Sequence, residues 1–169
     1  MEIRINDLVA PILDSLRPQF NTKKINVEAQ FLEGNNRLYA DPDKLSQVVS
    51  NLLQNAWQYT PPEGTFRIVM KSLPGEIKVV FANTAGELSE KDLPFIFERF
   101  YRGEKSRSRE HGEAGIGLAI VKELIEAHNG HVGAEMSHDE IRIWFTLPLS
   151  GFETQPNLYP IFTFSSFYL

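Results

Sequence analysis

The chain has 169 residues, 42% of them hydrophobic and 23% charged, which suits one domain with a buried core of its own. Its net charge of −5 argues against a broad nucleic-acid surface, which would be basic, and the absence of cysteine excludes disulfides, thiolate metal sites and cysteine nucleophiles. No run of roughly 18 apolar residues occurs and Met1-Glu2-Ile3-Arg4 does not open a signal peptide, so the chain reads as soluble.

Residues 5 to 19 carry Ile5, Leu8, Val9, Ile12, Leu13 and Leu16 at helical spacing, with Pro11 able to kink the first turns. Ile25 to Phe31 alternates as a strand, Gly34-Asn35-Asn36 turns, and Arg37 to Ala40 reads as a short second strand. Asp43 to Thr60 is a helix, started by Asp41-Pro42 and stopped by Thr60-Pro61-Pro62. Phe66 to Met70 and Ile77 to Phe81 read as a hairpin around Leu73-Pro74-Gly75-Glu76. Ser89 to Phe100 opens with capping-box spacing, Ser89 and Asp92, and runs into the aromatic cluster Phe95, Phe97, Phe100 and Tyr101. Residues 102 to 114 show no apolar periodicity and read as a mobile basic loop. Ile116 to His128 is amphipathic and ends at Asn129-Gly130; Val132 to Met136 and Ile141 to Leu147 form a second hairpin. The pattern predicts an α+β two-layer sandwich, with helices on one face of a largely antiparallel sheet. Residues 150–169 differ in kind: six aromatic residues lie among Pro, Ser and Thr without a clear period. They read either as an added interface strand or as appended or read-through sequence without an evolved role, the second reading being preferred.

The helix from Asp43 organises the rest. Leu45, Val48, Val49, Leu52, Leu53 and Ala56 form its buried stripe, and Gln47, Asn51 and Asn55 line up every four residues along the edge. Carboxamides beside a core need partners. They either cap neighbouring backbone or offer neutral oxygens to a phosphate-bound Mg²⁺, a cation that keeps most of its waters. Gly112-Glu113-Ala114-Gly115-Ile116-Gly117-Leu118 sets glycines at a helix start, where backbone N–H groups can approach phosphate; by itself this reads equally as a loop hinge. It is neither a P-loop nor a dinucleotide fingerprint.

Taken together, the helix bearing Asn51, Asn55 and Tyr59, the FIFERFYRGEKSRSR segment and the GIGLAIVKELIEAHNG helix resemble the catalytic ATP-binding domain of bacterial sensor histidine kinases, in the superfamily shared with gyrase-, Hsp90- and MutL-type ATPases. The resemblance runs from about Ile3 to Leu149, so residues 1–149 are expected to be the catalytic domain and 150–169 a tail. It implies a Bergerat-type sandwich, a mixed, largely antiparallel sheet of about five strands with about three helices on one face, and ATP under a lid. Asn55 matches the Mg²⁺ ligand, Asn51 its polar companion, and Tyr59 the aromatic packed beside adenine. Asn83 falls where the family has an adenine-reading Asp, with Ala85 and Glu87 where glycines are usual. Gln58 stands where Lys or Arg often reaches phosphate. Phe97 and Phe100 match the aromatic box below the lid, and Arg102 an arginine that approaches the γ-phosphate and is the catalytic candidate. Gly112, Gly115, Ile116, Gly117 and Leu118 match the segment over the triphosphate, with lid hinges at Gly103 and Gly112, and Thr146 matches a hydroxyl near adenine. Glu113 replaces a glycine with a charge of the wrong sign for phosphate.

The resemblance implies transfer of the ATP γ-phosphoryl, with Mg²⁺, to a histidine on a separate dimerisation domain, and a response regulator as the further partner. Nucleic acid and direct membrane contact are not expected. The location implied is cytoplasmic, the parent kinase being anchored in the membrane. His138, in Ser137-His138-Asp139-Glu140, is not the acceptor, because Ile141 onward alternates as a strand; it reads as a hairpin-turn residue. A gyrase- or Hsp90-type hydrolase would need a carboxylate where Asn51 stands. The altered residues Gln58, Asn83, Ala85, Glu87 and Glu113 support an alternative: a degenerate nucleotide-binding or protein-interaction module with little kinase activity.

Overall fold

A computed structural model of the chain describes residues 1–86, 88–99 and 117–151. The first strand, β1 (Glu2–Arg4), leads directly into α1 (Ile5–Thr22), followed by β2 (Asn26–Gln30) and β3 (Arg37–Tyr39). Then come α2 (Pro42–Tyr59), β4 (Thr65–Leu73), β5 (Glu76–Thr84), α3 (Gly117–Ala127), β6 (His131–Ser137) and β7 (Glu140–Pro148). Ile5, Val9, Leu13 and Phe20 form the buried side of α1, while Pro11 and Pro18 sit on its exposed side. At the start of α2, Asp41 Oδ1 accepts from the backbone N–H of Asp43 and Lys44, and Pro42 occupies a position whose N–H has no helical partner.

Five strands form one sheet in the order β2-β4-β5-β7-β6. Every neighbouring pair is antiparallel except β2 and β4, whose parallel pairing follows from the α2 crossover between them. The helices pack on one face. There Phe20 stacks on Phe66 with ring centroids 5.2 Å apart, and Phe66, Phe81 and Phe145 continue the row across β4, β5 and β7. This is the two-layer sandwich expected from the sequence, with three α-helices among the described residues.

The short strand expected after the Gly34 turn is present as Arg37–Tyr39; it pairs antiparallel with Glu2–Arg4 in a two-stranded ribbon separate from the five-stranded sheet. A three-residue strand is too short to show alternation, so β1 left no mark in the sequence. After the capping-box spacing at Ser89, the described residues up to Arg99 form one short 3-10 turn, Leu93–Phe95. The Asp92 carboxylate does accept from the Ser89 N–H at 2.8 Å, but Pro94 lacks the N–H a longer helix would need.

Glycine is required where α3 returns to the sheet. Asn129 takes φ 61°, ending the helix, and a Cβ on Gly130 would lie 2.1 Å from the Thr146 carbonyl oxygen. His128 anchors the same corner: Nδ1–H donates to the Leu124 carbonyl, and Nε2 accepts from the Asp41 N–H at 3.1 Å. The ends of α3 and α2 are thus tied together.

Candidate functional site

The polar edge of α2 faces the start of α3. Asn51 Nδ2 donates to the Gly117 carbonyl at 3.4 Å, so one carboxamide is used to join the two helices. One turn later Asn55 is half-buried, and among the described residues nothing hydrogen-bonds its carboxamide. A neutral amide oxygen left open at a helix edge suits a cation that retains most of its water. Sequence spacing left capping and cation binding open for this pair; the structure commits Asn51 to a backbone carbonyl and gives the Asn55 carboxamide no partner among the described residues.

At its far end α2 meets the end of β5. A Cβ on Gly86 would sit 2.7 Å from the Tyr59 carbonyl oxygen, so only glycine allows the strand's exit to pass under the helix terminus. Tyr59 is half-buried there. Ala85 donates its N–H to the Asp139 carbonyl and has no positive φ, so its side chain is accommodated where a glycine was expected. Asn83 is 3% exposed on the helix-facing side of β5. Its Nδ2 donates to the Thr84 carbonyl at 2.9 Å, which sets the amide's orientation and leaves Oδ1 as the acceptor. The helix-facing side of β5 thus carries an amide acceptor, and α2 a half-buried aromatic at its end and, one turn earlier, a carboxamide without a hydrogen-bond partner among the described residues.

Comparison with known proteins agrees with this arrangement. Residues 40–151 match the family described as histidine kinase-, DNA gyrase B- and HSP90-like ATPases. The chain belongs to that family. Within this ATPase family it is 38% identical over 113 residues to the signal transduction histidine-protein kinase BaeS of Escherichia coli K12, covering 66% of this chain and 24% of that protein. It is 36% identical over 125 residues to the sensor histidine kinase CusS of Escherichia coli O157:H7, covering 74% and 26%. The chain thus spans about a quarter of the length of these relatives. Among solved structures, the catalytic domain of histidine kinase ThkA superposes with a TM-score of 0.77 at 23% identity, covering 88% of this chain and 94% of that one. The mycobacterial sensor histidine kinase MprB gives the same score and identity, with 88% and 97% covered. The chain is a histidine-kinase-type ATP-binding catalytic domain, and ATP is its family's nucleotide.

Not every expected residue of the ATPase site is brought together. The register pairs Thr146 with Lys78 and His131, whereas Asn83 pairs with Ile141. Side chains alternate along a strand, so Thr146 lies on the opposite face of the sheet from Asn83 and is not beside it. Ile141, buried and without a hydroxyl, stands there instead. Gln58 is exposed on α2, and Leu118 is buried in the core cluster behind Gly117. Phe97 packs partly buried against the core. Glu87, Phe100, Arg102, Gly103, Gly112, Glu113, Gly115 and Ile116 lie outside the described residues. Arg99 forms an exposed ion pair with Glu123 at 2.6 Å, which holds its guanidinium above the usual arginine range and ties this segment to α3. His138 is a turn residue with φ 54°, between β6 and β7.

Lys23 was missed. Its Nζ donates to the Trp57 carbonyl at 2.7 Å and to that of Gln58 at 3.4 Å, a cation on the last carbonyls of α2. No periodic signal marks it, since it follows the end of α1 and meets α2 only through packing.

Proposed function

We propose that this domain binds ATP along the α2 edge and passes the γ-phosphoryl to a histidine on a helical dimerisation domain outside this chain. The observation that carries the reading lies on α2, where Asn51 is bonded to Gly117 and Asn55, one turn away, has no hydrogen-bond partner among the described residues. Asn83 Oδ1 accepts from the adenine 6-amino group, and Tyr59 packs beside the base. Asn55 supplies a neutral oxygen to Mg²⁺, which when bound screens the phosphate charges. Arg102 and the backbone N–H groups of Gly115 to Leu118 stabilise charge on the transferring group, as positioned donors do in phosphoryl transfer. Residues 1–149 serve as the catalytic unit; Leu149 is buried in the core cluster.

Support for a kinase over a hydrolase comes from Asn51. Its amide is committed to a carbonyl, and an amide is no general base for water. A response regulator would be the next partner; the ThkA neighbour has been solved in complex with one, TrrA. Because the base acceptor is a neutral amide, affinity is expected to be weaker than low micromolar. Calorimetry with a non-hydrolysable ATP analogue tests this, with and without Mg²⁺. Asn55→Ala should abolish the gain in affinity produced by Mg²⁺ while leaving binding without metal unchanged. An equal Mg²⁺ effect in both proteins would remove Asn55 from the metal site.

A further inference from the structure

The sequence that stops α2 also withholds two hydrogen bonds from it. In a helix that ran on, the Trp57 and Gln58 carbonyls would accept from the N–H groups of residues 61 and 62, and both of these are proline. Ala56, one residue earlier, is provided for by its own chain: its carbonyl accepts from the Thr60 N–H at 2.9 Å and from the Thr60 hydroxyl. The last turn of α2, which carries Tyr59, therefore depends on donors from elsewhere.

Lys23 is that donor. Its Nζ lies 2.7 Å from the Trp57 carbonyl and 3.4 Å from the Gln58 carbonyl, the two that the prolines leave without an N–H. The same ammonium sits 5.3 Å from the centre of the Trp57 ring, and its charge suits the negative end of the helix dipole. The backbone of Lys23 holds the other side of the turn, since its carbonyl accepts from the Glu63 N–H at 2.9 Å. One residue at the end of α1 thus grips the chain both before Tyr59 and after Pro62. Trp57 is tied to α1 a second time, its Nε1–H donating to the Gln19 carbonyl at 3.1 Å. On the β5 side, Gly86 leaves no slack beneath the Tyr59 carbonyl.

We propose that Lys23 is a positioning residue for the purine. It does not touch the nucleotide; by supplying the donors that Pro61 and Pro62 lack, it fixes the last turn of α2 and with it the Tyr59 ring beside the base. This rests on the reading of Tyr59 as the aromatic that packs on adenine. Without Lys23 the turn frays, and binding has to order it again at a cost in affinity.

Lys23→Met keeps the aliphatic stem and removes the donors, whereas Lys23→Arg keeps a cation with donors of its own. The test is calorimetry on the full chain with a non-hydrolysable ATP analogue and Mg²⁺, well below the melting temperature of each variant. Lys23→Met should bind about fivefold more weakly, Lys23→Arg should recover most of that loss, and Lys23→Met should cause no further loss in a Tyr59→Leu background. A merely structural lysine lowers the melting temperature but leaves the affinity of the folded protein unchanged, and that result overturns the proposal. An equal loss in the wild-type and Tyr59→Leu backgrounds, or no recovery with Lys23→Arg, overturns it too. Should Lys23→Met fail to fold, Lys23→Gln, which is neutral and shorter, is measured in its place. A wild-type chain that binds no analogue overturns the nucleotide reading and this proposal with it; wild-type binding that the lysine variant does not weaken overturns this proposal alone.

Discussion

Asn51 of α2 donates its side-chain amide to the backbone carbonyl of Gly117, the first residue of α3, at 3.4 Å. The contact spans 66 residues of sequence and links the polar edge of α2 to the first residue of α3. An aspartate at this position would set a carboxylate against a carbonyl oxygen. Asn51→Asp is expected to destabilise the fold at neutral pH by about 1–2 kcal/mol, the cost of losing a half-buried hydrogen bond and facing two acceptors. Denaturant melts at neutral pH check it, and the loss should lessen on acidification as the carboxyl becomes a donor.

Gly117 separates a structural from a functional use of glycine. A Cβ built there would meet Asn51 Cβ at 3.9 Å and Cγ at 4.0 Å, which are ordinary contacts, and its φ is not positive. Gly117→Ala should leave stability unchanged or raise it by up to about 1 kcal/mol, the difference in helix propensity. If phosphate approaches the backbone at this helix start, the same variant should weaken ATP-analogue binding roughly tenfold, about 1.4 kcal/mol. Thermal melts and calorimetry on one preparation resolve the two effects.

Asn83→Asp should produce opposed changes. The free domain loses the donor to the Thr84 carbonyl and places a charge where burial is nearly complete, so its melting temperature falls. The bound domain gains a charged acceptor for the adenine amine, a bond roughly twice as strong as the neutral one. ATP-analogue affinity should therefore rise while stability drops, so the variant melts below wild type without the analogue and the gap narrows as its concentration increases. A variant that loses both would show that Oδ1 does not meet the base.

Gly130→Ala is a purely structural probe. Its Cβ would sit 2.1 Å from the Thr146 carbonyl, 2.9 Å from Ile125 and 3.0 Å from Leu147, and the nearest neighbour is sheet backbone. Overpacking of this kind costs about 1–3 kcal/mol. Urea unfolding should show the midpoint lowered without a change in slope.

Acid sensitivity should centre on Glu140. Burial pushes its carboxyl up, but hydrogen bonds and charge from Arg142 and Arg67 outweigh that and hold it below the usual glutamate value of 4.5. A lowered folded-state pKa means that the stabilisation is present above the unfolded value and is lost as pH falls through the folded one. Wild type should therefore exceed Glu140→Gln in stability at neutral pH, with the gap closing below about pH 4.5. Equal gaps at pH 7 and pH 3 would contradict the assignment.

Local chemistry alone determined much of this protein. The buried stripe of α2, its Asp41-Pro42 start, the alternation of β4, β5 and β7 and the Asn129-Gly130 stop each depend on neighbours within a few residues, so they are legible in the string. The pairing of Asn51 with Asn55 on one helix edge was legible for the same reason. What only the tertiary structure decided is which groups face each other across long separations. It assigned Asn51 to Gly117 and gave Asn55 no partner among the described residues, set Gly86 under Tyr59, brought Lys23 to the end of α2 and put Ile141 rather than Thr146 opposite Asn83. Strand register carries no marker within a strand, and a shift of one residue reverses the face on which a side chain stands; pairing with β5 settles that choice.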